Sequence, residues 1–190
     1  PKTPKPLTIE IFLDFNDLFI SLIYLGINNK TQIITTSNYS KKNLIKILGS
    51  DNSISSVYQS FNFLKTSSTN YKTPENYVLH IGSFEKRKDL ITLLKAFKLV
   101  KDDSLKLVLA GAQIINGNSL VLDEIKTFIF QNKLENKVIL AGYVSKAEAS
   151  LLYKNASLYV FPSLDEGFGI PILEALSFSL PVICSDIDIF

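Results

Sequence analysis

The chain has 190 residues, of which 46% are hydrophobic and 20% charged, and its net charge is +2. That length suits one domain and part of a second. So mild a charge gives no reason to expect nucleic acid, although an anionic ligand or a membrane surface stays compatible.

Residues 1–6 (PKTPKP) alternate proline with Lys and Thr and should be extended or disordered. No apolar core follows a basic start, so no signal peptide is expected. The apolar stretches break well short of the roughly 18–20 residues a spanning helix needs. Residues 7–25 are rich in apolar and aromatic side chains, among them Ile9, Ile11, Phe12, Phe15, Leu18 and Leu22. Period two fits the first half and a helical period the second, and both readings stay open. Residues 32–36 read as a strand, and Ser40 is placed to cap a helix over 41–48. Residues 51–72 are rich in Ser, Asn and Thr and read as a connection.

From Tyr77 the rhythm is regular. Strands are expected at 77–81, 105–110 and 138–141, closed by Gly82, Gly111 and Gly142. Helices are expected at 88–100, with Leu90, Leu93, Leu94, Phe97 and Val100 on one face, and at 120–131. Ser145 and Glu148 form a capping box that opens a third helix, reaching to about residue 155. A further strand lies at 158–161 and another at 182–184. Apolar strands alternating with helices indicate an α/β fold, a Rossmann-like parallel sheet with helices on both faces. Ligands of such sheets lie past the carboxyl ends of the strands, where these glycines fall. Cys184, the one cysteine, ends the apolar run PVIC and reads as a buried structural thiol, which fits a reducing cytoplasm. His80, the one histidine, lies inside a strand and reads as a core or edge residue rather than a base.

The stretch LYVFPSLDEGFGIPILEA, residues 158–175, carries the most chemistry. It runs strand, glycine loop, helix, with Pro171 suited to the first helical position. Free amides and the positive end of the helix dipole there favour an anion. Glu166 and Glu174 flank that place and suit hydroxyl groups, which donate to carboxylates. An anion held by amides, with hydroxyls held by acids, describes a sugar nucleotide. Earlier in the chain, Arg87 and Lys88 sit where a helix is expected to begin, which is unfavourable for cations unless an anion lies between them and the helix end.

The setting P-S-x-x-E-G-F-G-I-P-x-x-E-A, with its spacing from Glu166 to Glu174, closely resembles the group 1 (GT4-type) retaining glycosyltransferases of GT-B fold, over residues 32–190 and most strongly from Tyr77 on. By resemblance, residues 1–50 are a remnant of the acceptor-side N-terminal domain and 51–75 a connection. Residues 76–190 would be the nucleotide-sugar-binding domain, incomplete at its C-terminal side. The resemblance gives Lys88, in Gly82-Ser83-Phe84-Glu85-Lys86-Arg87-Lys88, the donor diphosphate, with Arg87 beside it. Many members carry arginine where this chain has Ser83, and Arg87 is placed to compensate. Gly142-Tyr143-Val144-Ser145 resembles the stretch whose backbone reads the nucleobase. Glu174 matches the acid that holds the ribose hydroxyls and Glu166 the acid near the transferred sugar. The amides of Phe168, Gly169 and Ile170 would hold sugar or phosphate, and Gly82, Ser83 and Gly111 would line the site.

The implied reaction moves a hexose, with a weak hint of mannose, from an NDP-sugar to an acceptor hydroxyl with retention. Glu166, Lys88 and Arg87 are the catalytic candidates. No histidine cluster is present; neither metal nor cofactor is expected, and cations would take a metal's place. The partners are a nucleotide sugar and an acceptor saccharide or lipid-linked saccharide, in the cytoplasm or at its membrane face. The family's acceptor-side histidine lies in its N-terminal domain, and no histidine precedes His80 here. Activity is therefore expected to need a full N-terminal half, which a partner chain could supply. A non-catalytic NDP-sugar-binding subunit and an NDP-sugar epimerase of the same fold are the alternatives. Ser179 stands where members usually have glycine after the motif helix, and a non-glycine residue in the left-handed region costs on the order of 1 kcal/mol.

Overall fold

The computed structural model describes residues 8–10, 32–49, 54–60, 69–111 and 120–190. The expectations for residues 1–6 and for most of 7–25 lie outside the described residues. Two compact units are present. The first takes in the described residues up to 60 together with 166–169 and 188–190, and the second takes in 69–165 and 170–187.

In the first unit, β1 (Thr8–Glu10), β2 (Gln32–Thr35) and β3 (Ile54–Ser56) form a parallel sheet in that order. Helix α1 (Asn38–Leu48) packs Leu44 against Ile33 and Ile54. Two expectations change here. Residues 54–56, read as connection, form a strand because Ile54 is needed in this small core, where it pairs with Ile33. The cap of α1 is Ser37 and not Ser40: Ser37 has the extended backbone a cap requires, and its hydroxyl accepts from the Ser40 amide at 3.0 Å. Gly49 closes the helix at φ 70°, donating to the Ile45 carbonyl.

The second unit holds β4 (Tyr77–Ile81), β5 (Lys106–Ala110), β6 (Val138–Gly142), β7 (Leu158–Phe161) and β8 (Val182–Cys184). All pair in parallel, in the order β6-β5-β4-β7-β8. The parallel Rossmann-like sheet is therefore present. Its helices are α2 (Leu90–Lys98), α3 (Leu120–Gln131), α4 (Lys146–Asn155) and α5 (Ile170–Ser177). Strand residues alternate between two cores. Val78, Leu107 and Leu109 pack with Leu94, Phe97 and Ile125 of α2 and α3. Tyr77, Leu79 and Val108 pack with Leu152, Tyr153 and Ala175 of α4 and α5. Both faces are covered, which is why the inner strands read as unbroken apolar runs.

The helix expected over 88–100 starts later. Residues Lys86–Lys88 form a single 3₁₀ turn, and Asp89 then takes the left-handed conformation (φ 46°) before α2 opens at Leu90. Aspartate is among the few residues that enter this region at modest cost. Pro171 is the second residue of α5 and not the first, still within the turn whose amides lack helical partners. Cys184 is exposed, not buried. It lies on the outer strand of the sheet, where Ile183 is exposed as well. Ser145 and Glu148 do form the capping box of α4, and the Ser145 amide donates to Glu148 Oε2 at 2.7 Å.

Ser179 adopts φ 56° just after α5, in the left-handed position that favours glycine. Ser179→Gly should therefore stabilise the second unit by about 0.5–1 kcal/mol. A chemical denaturation midpoint that moves up at unchanged slope checks this, and an unchanged or lower midpoint rules it out.

Candidate functional site

The chain winds outward from β4 to β5 and β6, then returns to place β7 on the other side of β4. That reversal leaves a crevice past the carboxyl ends of β4 and β7, the place where open parallel sheets take their ligands. The Gly82 amide donates to the Ala110 carbonyl at 2.9 Å, and the Gly111 amide to the Gly142 carbonyl at 2.8 Å. A Cβ on Gly111 would collide with the carbonyl oxygen of Gly82, so only glycine lets these strand ends approach so closely.

The 3₁₀ turn places Lys88 differently from a helix start. Its side chain is 5% exposed, with Nζ 4.7 Å from the centre of the Phe161 ring. A desolvated ammonium over an aromatic face is stabilised by about 2 kcal/mol. Arg87 donates from Nε to Glu85 Oε2 at 2.7 Å and from Nη1 to the Asp165 carbonyl at 3.4 Å. Its own carbonyl accepts from the Leu164 amide at 2.7 Å. Arg87 thus ties the loop after β4 to the loop after β7. Burial pushes the Glu85 carboxyl up, but hydrogen bonds from the Ser83 hydroxyl and the Arg87 guanidinium outweigh it and hold it below its ordinary range. Ser83 therefore belongs to the network that fixes Arg87. His80 is wholly buried, with Nδ1 3.0 Å from the Val160 carbonyl oxygen. A carbonyl can only accept, so Nδ1 carries the proton in that bond. His80 is the core residue expected.

Tyr143 is exposed, and Val144 packs against the core shared by α4 and α5. Glu174, on α5, accepts from the Tyr153 hydroxyl at 3.0 Å. Burial pushes the Glu174 carboxyl above its ordinary range, and the Tyr153 hydrogen bond and the charge of Lys146 offset this only in part. Ile170 is the first residue of α5. The remaining candidates belong to the first unit. Glu166 is buried. The Gly167 carbonyl between Glu166 and Phe168 accepts from the hydroxyls of Thr36 and Ser40, each at 3.4 Å. The Phe168 ring meets Tyr58 at 6.1 Å, and Gly169 lies against the ring of Phe190. The second unit thus brings together Gly82, Ser83, Arg87, Lys88 and Gly111, and holds Glu174 on a second group of partners.

Residues 63–190 match the family model described as glycosyl transferases group 1. The chain belongs to this family. It is 32% identical to the O-antigen chain mannosyltransferase RfbU of Salmonella typhimurium, over 93% of this chain and 50% of that protein. It is 34% identical to O-antigen chain mannosyltransferase B of Escherichia coli, over 60% of this chain and 29% of that protein. The crystal structure of Anabaena Alr3699/HepE in complex with UDP and glucose shares the fold, with a TM-score of 0.78 at 19% identity, covering 96% of this chain and 53% of that one. The chain thus spans about half the length of the relatives it matches most fully.

Three residues of the site were not singled out from the sequence. Glu85 stands two positions before Arg87, and that acid-to-arginine spacing was its available signal. Phe161 and Tyr153 read as ordinary core residues, since nothing local shows that one lies under Lys88 and the other under Glu174.

The network around Glu85 should appear in the pH dependence of stability. A carboxyl with a folded pKa below its unfolded value contributes stability that is fully present above about 4.5, its ordinary value, and lost as pH falls through the folded pKa. Glu85→Gln should therefore lower stability by roughly 0.5–1 kcal/mol at neutral pH, the scale of a partly exposed ion pair. The gap from wild type should close toward acid pH. Denaturation at several pH values checks this, and a gap independent of pH would refute it.

Proposed function

We propose that the protein transfers a hexose, mannose in the first instance, from a nucleoside-diphosphate sugar to an acceptor hydroxyl with retention, in polysaccharide or lipid-linked saccharide synthesis. The observation that carries this is the desolvated Lys88 at the switch point of the sheet, in a chain of this family. The names of the Salmonella and E. coli relatives support mannose. UDP in the Anabaena structure supports a nucleotide ligand on this fold. Among the described residues no helix is long and apolar enough to cross a membrane. The proposed place of work is the cytoplasm or its membrane face, where lipid-linked acceptors are met, and a partner chain is not required by the reading of the donor site.

In this reading the diphosphate lies by the Gly82–Lys88 loop. Negative charge grows on it as the glycosidic bond to the sugar breaks and the sugar becomes oxocarbenium-like. Lys88 is already desolvated and held in place, so its charge acts with little reorganisation, the situation in which electrostatic stabilisation is strongest. Arg87 keeps the two loops in register beside it. Glu174 accepts the ribose hydroxyls, Glu166 serves the transferred sugar, and backbone groups near Val144 receive the base. The amides of Phe168, Gly169 and Ile170 complete the contacts to sugar or phosphate.

Titration calorimetry with GDP, UDP and ADP tests the reading. One nucleotide should bind, and Lys88→Ala and Glu174→Ala should each weaken it about tenfold or more, since hydrogen bonds to charged groups are worth roughly 1.5–3 kcal/mol. Because Glu174 holds its proton to higher pH than an ordinary carboxyl, affinity should begin to fall above the usual carboxyl range as pH is lowered, and Glu174→Gln should remove that dependence. If no nucleotide binds to the folded protein, the reading fails. If a nucleotide sugar binds to the intact protein but neither its sugar is transferred nor the compound altered, the binding-subunit alternative replaces transfer.

A further inference from the structure

We infer that Tyr153 is a positioning residue, whose buried phenol holds the Glu174 carboxylate in place for a vicinal diol. This deepens the reading of Glu174 as the ribose-binding acid and rests on it. Tyr153 lies on α4 and is 1% exposed. Its ring is fixed between Tyr159, with centroids 5.4 Å apart, and Phe178, at 5.9 Å. Phenylalanine would fill that apolar slot as well, so the hydroxyl is not required for packing. A buried hydroxyl is costly unless bonded, and this one donates to Glu174 Oε2 at 3.0 Å. Glutamate is a flexible side chain on a helix surface. A donor on an immobile ring removes much of that freedom and leaves the other carboxylate oxygen, and the second lone pair of Oε2, to accept from a ligand. Ordering the group before the ligand arrives saves the entropy of ordering it on binding.

The same aromatic wall reaches the other half of the site. Tyr159, packed against Tyr153, donates from its hydroxyl to the Ile81 carbonyl at 3.0 Å, one residue before Gly82. The span between the diol-binding acid and the loop after β4 is therefore set by two rigid phenols. A nucleoside diphosphate presents its ribose hydroxyls and its phosphates at a fixed separation, which such a spacer suits.

The test compares GDP and UDP with their 2′,3′-dideoxy forms by calorimetry on the intact protein. Wild type should prefer the ribose form of the nucleotide it binds, and Glu174→Ala should erase the preference. Tyr153→Phe should reduce the preference by roughly three- to tenfold, the scale of an ordinary hydrogen bond's net contribution because the phenol acts through the carboxylate and does not touch the ligand, and leave affinity for the dideoxy form unchanged. A purely structural loss would instead weaken both forms alike, and that result, or a preference kept in full, overturns the inference. Glu174→Asp withdraws the carboxylate from the phenol by one methylene while keeping its charge. It should reduce the preference as Tyr153→Phe does, and it decides the matter if Tyr153→Phe does not fold. A wild type with no preference would mean that Glu174 does not read ribose, and the inference would fall with that assignment.

Discussion

The second unit depends on β4 hydrogen-bonding in parallel to β5 on one side and β7 on the other. The chain cannot make both pairings without reversing its winding, and the reversal opens a crevice at the carboxyl ends. Each loop that leaves those ends is then aimed at the same place. The close approach of Gly111 to the Gly82 carbonyl continues the constraint beyond the last strand residues. The loops are thus tightly placed at their roots, which a site for a charged ligand requires.

The electrostatics follow from that placement. Lys88 is removed from water, over Phe161, at a position where charge is expensive to keep. The carboxylate of Glu85 contributes an opposing field and is itself held low by Ser83 and Arg87. Glu174 is pushed the other way, because burial dominates its surroundings. Two carboxyl groups of one unit thus have their proton affinities moved in opposite directions. The one paired with cations serves architecture. The one that is half-buried beside a phenol keeps acceptor capacity for a ligand.

The aromatic residues between the sheet and helices α4 and α5 form the rigid floor for both. The Tyr77 hydroxyl donates to the Leu152 carbonyl at 2.7 Å and that of Tyr159 to the Ile81 carbonyl, so each buried phenol has its polar end satisfied. Rings of this size bring large burial with few rotatable bonds. They convert the position of a strand into the position of a helix side chain with little play.

The sequence by itself determined the order of strands and helices from Tyr77 on, because unbroken apolar runs, the spacing of Leu90, Leu93, Leu94 and Phe97, and the Ser145–Glu148 box are local signals of period and capping. It also determined family membership, because the motif around Glu166 and Glu174 is contiguous. It did not show where α2 begins, since that turns on Asp89 entering the left-handed region, nor that Ser37 and not Ser40 caps α1, since two serines three apart offer the same chemistry. The exposure of Cys184 was decided by β8 lying at the edge of the sheet. Lys88 over Phe161 and Glu174 held by Tyr153 were decided only by the tertiary structure. Lys88 and Phe161 lie 73 positions apart by number, and Tyr153 and Glu174 lie 21 apart. Contacts at such separations are made by the packing of parallel strands and crossover helices, and no local pattern encodes them.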